Sequence, residues 1–443
     1  MALDVVFKCS HKPKQRRYKD IAGRSFFGQF GPADFRQVIQ YDLGIQSAAG
    51  PPYEQCLLRR DRQRIDASSR RVCPVRRLSL VTQEIRGALL RNANEFDFRY
   101  FVEMTMKALQ ELFQSPEFYP VILDMEHKVL RFVRMSPETY RNSVFLDLRT
   151  RQVGSSTFDI RLDDLLLAAR RAPGVSKKTH YILNSAYCCS TLLARYFELL
   201  PSCFVLKEPR LLSQIAVMEH RADLPWEPVF DLCVKLLSRT YTPEQIVVMK
   251  PVDCCSLIGE RLLQFNPQAS ITFLMTPLRQ FLLSILKSGE RRDWARMRIR
   301  TVFRNMGAAP QLAGVDPETL GVPQAAACLW LIHHYLYQQL AAGPHRSRVR
   351  LVNGQELADC PRQILPAILE AAGLALDCNG LAALIDHPSM RKYSKDLSRP
   401  YDASSRDREL AEVERCWAGE LAQGLLWAQK HGWECESIAA ACA

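Results

Sequence analysis

Residues 181 to 200, YILNSAYCCSTLLARYFELL, pass from an apolar run through small and polar residues into an amphipathic pattern. The apolar run predicts a buried β-strand and the amphipathic pattern an α-helix, so the residues between them form a strand-to-helix loop. N–H groups at the start of a helix bind anions readily. Two glycines followed by Lys-Ser or Lys-Thr, the mark of an ATP-binding phosphate loop, are absent, so the stretch does not predict ATP.

The same alternation continues from residue 179 onward. Strands are predicted at THYILN, CFVLK, QIVVMK and SITFLMT, and helices near 190–200, 228–239, 255–265, 278–288, 325–342 and 406–431. This order is typical of an α/β fold in which helices flank a parallel sheet. Ligands of such sheets bind at the carboxyl ends of the strands, where the loop after the first strand lies.

The basic charge is concentrated at the start of the 443 residues, whose 47% apolar and 24% charged content is that of a globular protein. Residues 1–80 contain 16 Lys or Arg and 7 Asp or Glu, a net +9 of the chain's +12. They lack helical or strand periodicity and predict a basic, poorly ordered extension. Such an extension could bind nucleic acid or an anionic membrane. We favour a solvated extension, so nucleic acid is not an expected partner.

Residues 81–175 predict a small α/β accessory unit. Its helix covers about 81–114, two strands lie within FYPVILDMEHKVLRFVRM, and a second helix follows at LDDLLLAARRA. Turn-forming residues at 172–178 mark a boundary. Residues 176–443 then form the larger α/β domain.

The cysteines and apolar runs indicate a cytoplasmic protein without a membrane span. None of the 15 cysteines forms a C-x-x-C motif, which favours reduced thiols over zinc or disulfides. The apolar runs are shorter than the roughly 20 residues that cross a bilayer. His333 and His334 are adjacent on a helix and point about 100° apart, so no metal site is expected.

The loop after the first strand is the candidate anion site. Its backbone N–H groups, and the hydroxyls of its last residues, would surround an anion at the helix start. The residues expected to take part are Ser185, Ala186, Tyr187, Cys188, Cys189, Ser190, Thr191 and Leu192. A plain capped junction without a ligand is the alternative.

Four segments, in order, resemble the sulfotransferase superfamily over most of residues 179–443. They are SAYCCSTLL (185–193), VLKEPRLL (205–212), SITFLMTPLRQFLLS (270–284) and the long segment VRLVNGQELADCPRQILPAILEAAGL (349–374). The resemblance implies 3′-phosphoadenosine 5′-phosphosulfate as the donor and a hydroxyl or amine of a small molecule as the acceptor. The basic segment KSGERRDWARMRIR suits an anionic acceptor. Oligomeric state stays open.

Three positions depart from the family pattern. Tyr187 stands where the family loop has Lys or Arg, Cys189 where it has Gly, and Thr276 where a strand ends in Arg. The resemblance then leaves Arg279, with Ser284, as the contact for the 3′-phosphate, although Arg279 could be a surface residue. A late basic stretch, MRKYSKDLSRPYD, offers Arg391 or Lys395 for the same phosphate.

Glu208 is the candidate base, because the resemblance places a carboxylate there. Lys207 and Lys250 are substitutes for the missing cation, and Lys250 is preferred because MKP repeats the Lys-x-Pro spacing of LKEP. Glu208 could instead be an ion partner of Lys207 or Arg210, and both lysines could extend to solvent.

Two other functions are consistent with the sequence. One is a non-catalytic binding protein on the same fold, which the changes at Tyr187 and Thr276 favour. The other is a small-molecule kinase, although the loop lacks the lysine of that class.

Overall fold

The computed structural model describes residues 109, 111–147, 157–175, 177–219, 224–305, 312–394, 396–400 and 403–433. They belong to one compact unit, Val102–Ala443. The predicted extension, residues 1–80, and most of the helix predicted over 81–114 lie outside the described residues.

Ten strands occur in the described part of the chain. They are β1 Phe118–Asp124, β2 Val129–Arg134, β3 Thr157–Arg161, β4 Thr179–Asn184, β5 Cys203–Lys207, β6 Ile246–Lys250, β7 Ala269–Met275, β8 Val349–Asn353, β9 Lys392–Tyr393 and β10 Asp396–Pro400.

Fourteen α-helices accompany them in the described ranges. They are α1 Pro137–Asn142, α2 Leu162–Arg171, α3 Ser190–Glu198, α4 Arg210–Ala216, α5 Trp226–Leu237, α6 Gly259–Phe265, α7 Leu278–Leu286, α8 Gly289–Asn305, α9 Val322–Ala342, α10 Gly354–Asp359, α11 Pro361–Ala371, α12 Cys378–Ile385, α13 Ala403–Cys416 and α14 Ala418–Lys430.

The predicted alternation of strands and helices is confirmed, although strand β8 and helices α8, α10, α11 and α12 were not among the predicted elements. Three further differences concern the helices. Helix α4, which directly follows the Glu208 turn, was not predicted. The helix predicted at 255–265 starts as a 3₁₀ helix, Asp253–Ile258, before α6. The helix predicted over 406–431 is two helices, because the chain leaves helical geometry at Trp417.

Five parallel strands form the main sheet in the order β5-β6-β4-β7-β8, and helices flank it. The central strand β4 is hydrogen-bonded to β6 on one side and to β7 on the other. The chain runs from β4 to the β5 edge, and later crosses to the β7 side, so the strand order reverses beside β4. The crevice beyond the carboxyl ends at such a reversal is where α/β proteins bind ligands.

The register brings the strand ends to one level. Lys207 of β5 pairs with Lys250 of β6, and Asn184 of β4 pairs with Leu274 of β7. The loops that follow these strands therefore start at the same edge of the sheet.

A buried hydrophobic cluster joins the sheet to α3, α10, α11 and α12. It includes Ile182 and Leu274 of the sheet, Phe197 of α3 and Ile368 of α11, all without solvent contact. Burial of such side chains contributes about 1.5 to 3 kcal/mol each. This packing fixes α3, and hence the loop in front of it.

The N-terminal part contains a three-stranded antiparallel sheet in the order β1-β2-β3. The two strands predicted within residues 118–135 and the helix predicted from 162 are confirmed. Phe132 and Phe158 stack on this sheet with their ring centroids 5.4 Å apart. The division of the chain at 175/176 into two domains stays a prediction.

None of the described helices combines the length and the apolar content that crossing a bilayer requires.

Arg239, which follows α5, fastens the N-terminal part to the rest of the unit. Its guanidinium donates to the carbonyl oxygens of Leu112, Ser115 and Phe118, and also to that of Leu236. The residue is 5% exposed, and burial lowers its pKa to about 10, so it stays charged at neutral pH. A buried carbonyl oxygen without a donor lowers the free energy of unfolding. The Arg239 side chain therefore stabilises the backbone at each of these four carbonyl groups.

We expect Arg239→Met to lower the free energy of unfolding by about 3 kcal/mol or more, because three distant carbonyls lose their donor. Chemical denaturation measures this change. Arg415→Met is the control, since Arg415 is largely exposed and its ion pair among the described residues is with Glu412 of the same helix. That variant should unfold like the parent. Equal stability of the two variants would contradict the role given to Arg239.

Candidate functional site

The loop between β4 and α3 has an unusual backbone. Ala186, Tyr187 and Cys189 all adopt left-handed φ angles, between 51° and 65°. A non-glycine residue in this region costs about 1 to 3 kcal/mol, and such residues concentrate at binding sites. Burial raises the pKa of the Cys188 thiol, so the loop carries no negative charge there.

The start of α3 is open to an anion. The helix starts at Ser190, and no side-chain hydrogen bond caps it. The first N–H groups of a helix have no acceptor within it. Ser190 and Thr191, whose hydroxyls the sequence predicted to surround an anion, are at most 5% exposed. Leu192 packs against the buried cluster behind the loop.

Two residues that sequence reasoning missed hold the loop in place. The Asn184 amide donates to the Pro251 carbonyl over 2.9 Å and accepts from the Ala186 N–H over 3.1 Å, tying the loop to the end of β6. Gly354, the first residue of α10, lies against the loop backbone. A Cβ atom on Gly354 would be 2.0 Å from the Cys188 carbonyl oxygen. Gly354 stood within the last quoted motif, but its contact could not be read from the sequence.

Glu208 and Lys250 form an ion pair beside this loop. Both are largely buried, with Lys250 only 4% exposed. The Glu208 N–H also donates to the Lys250 carbonyl over 2.6 Å, and Glu208 has a left-handed φ of 54°. The sequence-predicted base and cation are thus brought together, and Lys250 is the ion partner of Glu208.

Lys207 belongs to a different cluster. Its ammonium pairs with Glu198 at the end of α3, and Glu198 also binds Arg195 over 2.7 Å. The structure therefore separates the two strand-end lysines, and only Lys250 reaches Glu208.

Helix α8 brings cationic and aromatic side chains to the loop. The Arg291 guanidinium lies 4.6 Å from the centre of the Tyr187 ring. The rings of Tyr187 and Trp294 meet edge to face, with their centroids 5.1 Å apart. Arg291 donates to the Ser284 carbonyl over 2.8 Å and has no carboxylate partner among the described residues. Burial raises the pKa of Tyr187, so its hydroxyl stays a donor. Sequence reasoning had assigned this basic segment to the acceptor.

A second arginine of α8 is neutralised by a buried carboxylate. Arg298 lies 3.3 Å from Asp253, and His333 lies 3.7 Å from the same oxygen. Burial alone would raise the pKa of Asp253, but Arg298 and His333 outweigh it, so this pKa lies below its ordinary value. Asp253 therefore stays ionised, and Arg298 is less available than Arg291 to bind an anion.

Two of the predicted 3′-phosphate contacts, Arg279 and Arg391, are exposed. Arg279 is exposed and pairs with Glu414 of α13, while Ser284 offers its carbonyl to Arg291. Arg391 is exposed at the start of the β9-β10 ribbon, and Lys395 lies outside the described residues. Their roles in binding stay predictions.

The arrangement can perform anion binding and proton transfer. An uncapped helix start, two hydroxyls and Arg291 suit a phosphate or sulfate group. A carboxylate paired with an ammonium at the same sheet edge can accept a proton while the cation faces a developing negative charge. In the part of the chain that the structure describes, no group of three His, Cys, Asp or Glu side chains could hold a metal ion.

No protein-family model matches the chain, and no curated protein matches it. Solved sulfotransferases are similar to it at low identity. The sulfotransferase domain from the curacin biosynthetic pathway is 14% identical, with a TM-score of 0.33, over 56% of this chain and 98% of that one. A sulfotransferase from Mycobacterium tuberculosis H37Rv is 13% identical, with a TM-score of 0.35, over 58% and 82%.

A sulfotransferase from Mycobacterium avium is 13% identical, with a TM-score of 0.33, over 79% of this chain and 98% of that one. All three belong to the family that the sequence motifs resemble.

We expect Gly354→Ala to displace the loop, because its new methyl group would meet the Cys188 backbone. The variant should melt lower and lose most of its affinity for 3′-phosphoadenosine 5′-phosphate, measured by calorimetry below the melting temperature. Gly419→Ala is the control, since no atom lies within 4 Å of its added Cβ and helical Gly→Ala is stabilising. Parent-like affinity in Gly354→Ala would show that the loop does not depend on this contact.

Proposed function

We propose that the chain is a sulfotransferase that transfers a sulfuryl group from 3′-phosphoadenosine 5′-phosphosulfate to a hydroxyl or amine of a small-molecule acceptor. The observation that carries this proposal is the Glu208–Lys250 ion pair at the sheet edge that also carries the uncapped anion loop. A base, a cation and an anion cradle are what the transfer needs.

The donor supplies an activated sulfuryl group when it is bound. Glu208 accepts the proton of the acceptor as the new sulfur–oxygen or sulfur–nitrogen bond forms. The bond between sulfur and the phosphate oxygen breaks, and 3′-phosphoadenosine 5′-phosphate leaves with the electron pair. Lys250 is placed to neutralise the charge that develops there.

The loop residues fit the phosphosulfate end of the donor. The first N–H groups of α3, which have no acceptor within the helix, and the hydroxyls of Ser190 and Thr191 lie at the end of the loop. Arg291, which has no carboxylate partner among the described residues, adds a positive charge over the Tyr187 ring. Guanidinium groups bind phosphate and sulfate oxygens well. Arg291 supports the proposal because the loop itself contains no charged side chain.

The donor product should stabilise the protein and ATP with magnesium should not. A ligand that binds only the folded state raises the melting temperature by mass action. Thermal melting with each nucleotide at concentrations near a millimolar is the measurement. No shift with 3′-phosphoadenosine 5′-phosphate would remove the sulfotransferase proposal, and a shift with ATP alone would support a small-molecule kinase instead.

We expect Glu208→Gln to lower the transfer rate by about 10² to 10⁴ while nucleotide affinity persists, because an amide cannot accept the proton. Release of 3′-phosphoadenosine 5′-phosphate from the donor, with a phenol, a primary alcohol and an amino sugar as acceptors, measures the rate. Glu198→Gln is the matched control, since Glu198 also pairs with a strand-end lysine. It should cost stability and leave the rate per folded molecule unchanged.

Thr191→Ala tests the loop separately from the base. Loss of one hydroxyl should weaken nucleotide binding by roughly 1 to 3 kcal/mol, with a smaller effect on the bound complex's rate. If Glu208→Gln turns over at the parent rate, Glu208 is not the base. A parent that binds the nucleotide but transfers to none of the acceptors would support the non-catalytic alternative.

A further inference from the structure

Residues 141–147, which comprise the end of α1 and the five residues after it, lie against the turn that carries Glu208. We propose that this segment of the N-terminal part belongs to the active centre, with Phe145 as a positioning residue for the Glu208–Lys250 pair. The inference rests on the proposed function and deepens it, because it assigns a role in the same site to a region that sequence analysis left as an accessory unit.

The backbone of Leu146 is hydrogen-bonded to the residues on both sides of the turn. Its N–H donates to the Lys207 carbonyl over 2.7 Å, and its carbonyl accepts from the Arg210 N–H over 3.2 Å. Glu208 and Pro209 lie between these two partners. The backbone of one residue of the N-terminal part thus holds both ends of the turn that presents the candidate base.

The same carbonyl is anchored from the three-stranded sheet. The hydroxyl of Tyr119 in β1 donates to the Leu146 carbonyl over 2.8 Å. Burial raises the pKa of Tyr119, so the hydroxyl stays protonated and keeps donating. The position of the Glu208 turn is therefore set by β1 as well as by the main sheet.

Glu208 needs such support because its backbone is left-handed. Its N–H binds the Lys250 carbonyl on one side, and Leu146 holds the neighbouring residues on the other. A strained non-glycine conformation persists only where the surroundings fix it from several directions. Without residues 141–147 only the link to β6 would remain.

Phe145 contacts the cation of the pair. The Lys250 ammonium lies 5.9 Å from the centre of the Phe145 ring, within the range of a cation–π contact. The Phe145 side chain is half-buried, so it covers the pair on one side while part of the ring faces solvent. The Lys207 ammonium also donates to the Arg141 carbonyl over 3.2 Å, so the segment touches the ends of both strands.

Phe145→Ala is the test, with three readouts. Transfer, measured as release of 3′-phosphoadenosine 5′-phosphate from the donor, should fall by about ten- to a hundredfold, because the base and cation lose their fixed positions. Affinity for the nucleotide product should change by less than about threefold, since the loop after β4 is not touched. Amide exchange of the peptide covering residues 203–212 should become faster.

Two variants act as controls. Phe145→Tyr keeps the ring and should restore both transfer and slow exchange. Phe158→Ala removes a ring of the same three-stranded sheet that stacks on Phe132 and makes no contact with Lys250. It should lower the melting temperature while rate per folded molecule and exchange at 203–212 stay at parent values.

The inference and the proposed function fail in different ways. Absence of nucleotide binding and transfer in the parent would remove the proposed function. Parent-like transfer and parent-like exchange at 203–212 in Phe145→Ala would overturn the inference, as would equal losses of transfer in Phe145→Ala and Phe158→Ala. Loss of transfer in Phe145→Ala that Phe145→Tyr restores supports it.

Discussion

The double link between Glu208 and Lys250, one through the backbone and one through the side chains, is the constraint on which the site depends. The register of β5 against β6 places the two residues side by side at the sheet edge. The left-handed conformation of Glu208 turns its side chain back toward Lys250 at an energetic cost that the neighbouring segments offset. A glycine would relieve the backbone but would remove the carboxylate.

Charge pairing divides the cations around the loop into two kinds. Lys250 and Arg298 each have a carboxylate partner, which holds them in place and reduces their attraction for a ligand. Arg291 is held by an aromatic ring and a carbonyl, and no carboxylate of the described residues pairs with it. In such a site Arg291 can bind an anion without first breaking an ion pair. Lys250 and Arg298 can bind it only if the anion competes with their carboxylate partners.

The sequence predicted the sheet well because buried parallel strands and amphipathic helices have distinct periods. It also placed Glu208, Lys250 and the loop at one edge, because strand ends in such a sheet converge. Helix α4 escaped prediction, since its seven residues directly follow the Glu208-Pro209 turn and show barely two turns of periodicity.

Contacts between distant segments could not be predicted from the sequence for a different reason. The approach of Gly354 to Cys188, the stacking of Arg291 on Tyr187 and the pairing of Leu146 with Lys207 depend on how separate elements pack. Local composition carries no signal for them. A glycine after a strand, an arginine in a basic helix and a leucine shortly after a helix are all ordinary where they stand.

The contacts of Arg239 have a consequence for the order in which the chain folds. The carbonyl oxygens of Leu112, Ser115 and Phe118 lie 121 to 127 residues before the side chain that satisfies them. Contacts across such separations form late, because closing a long loop costs entropy before the contact rewards it. During synthesis the N-terminal strands leave the ribosome well before β6 is made. Their final docking therefore waits until α5 and Arg239 have been made, and the two regions become stable together.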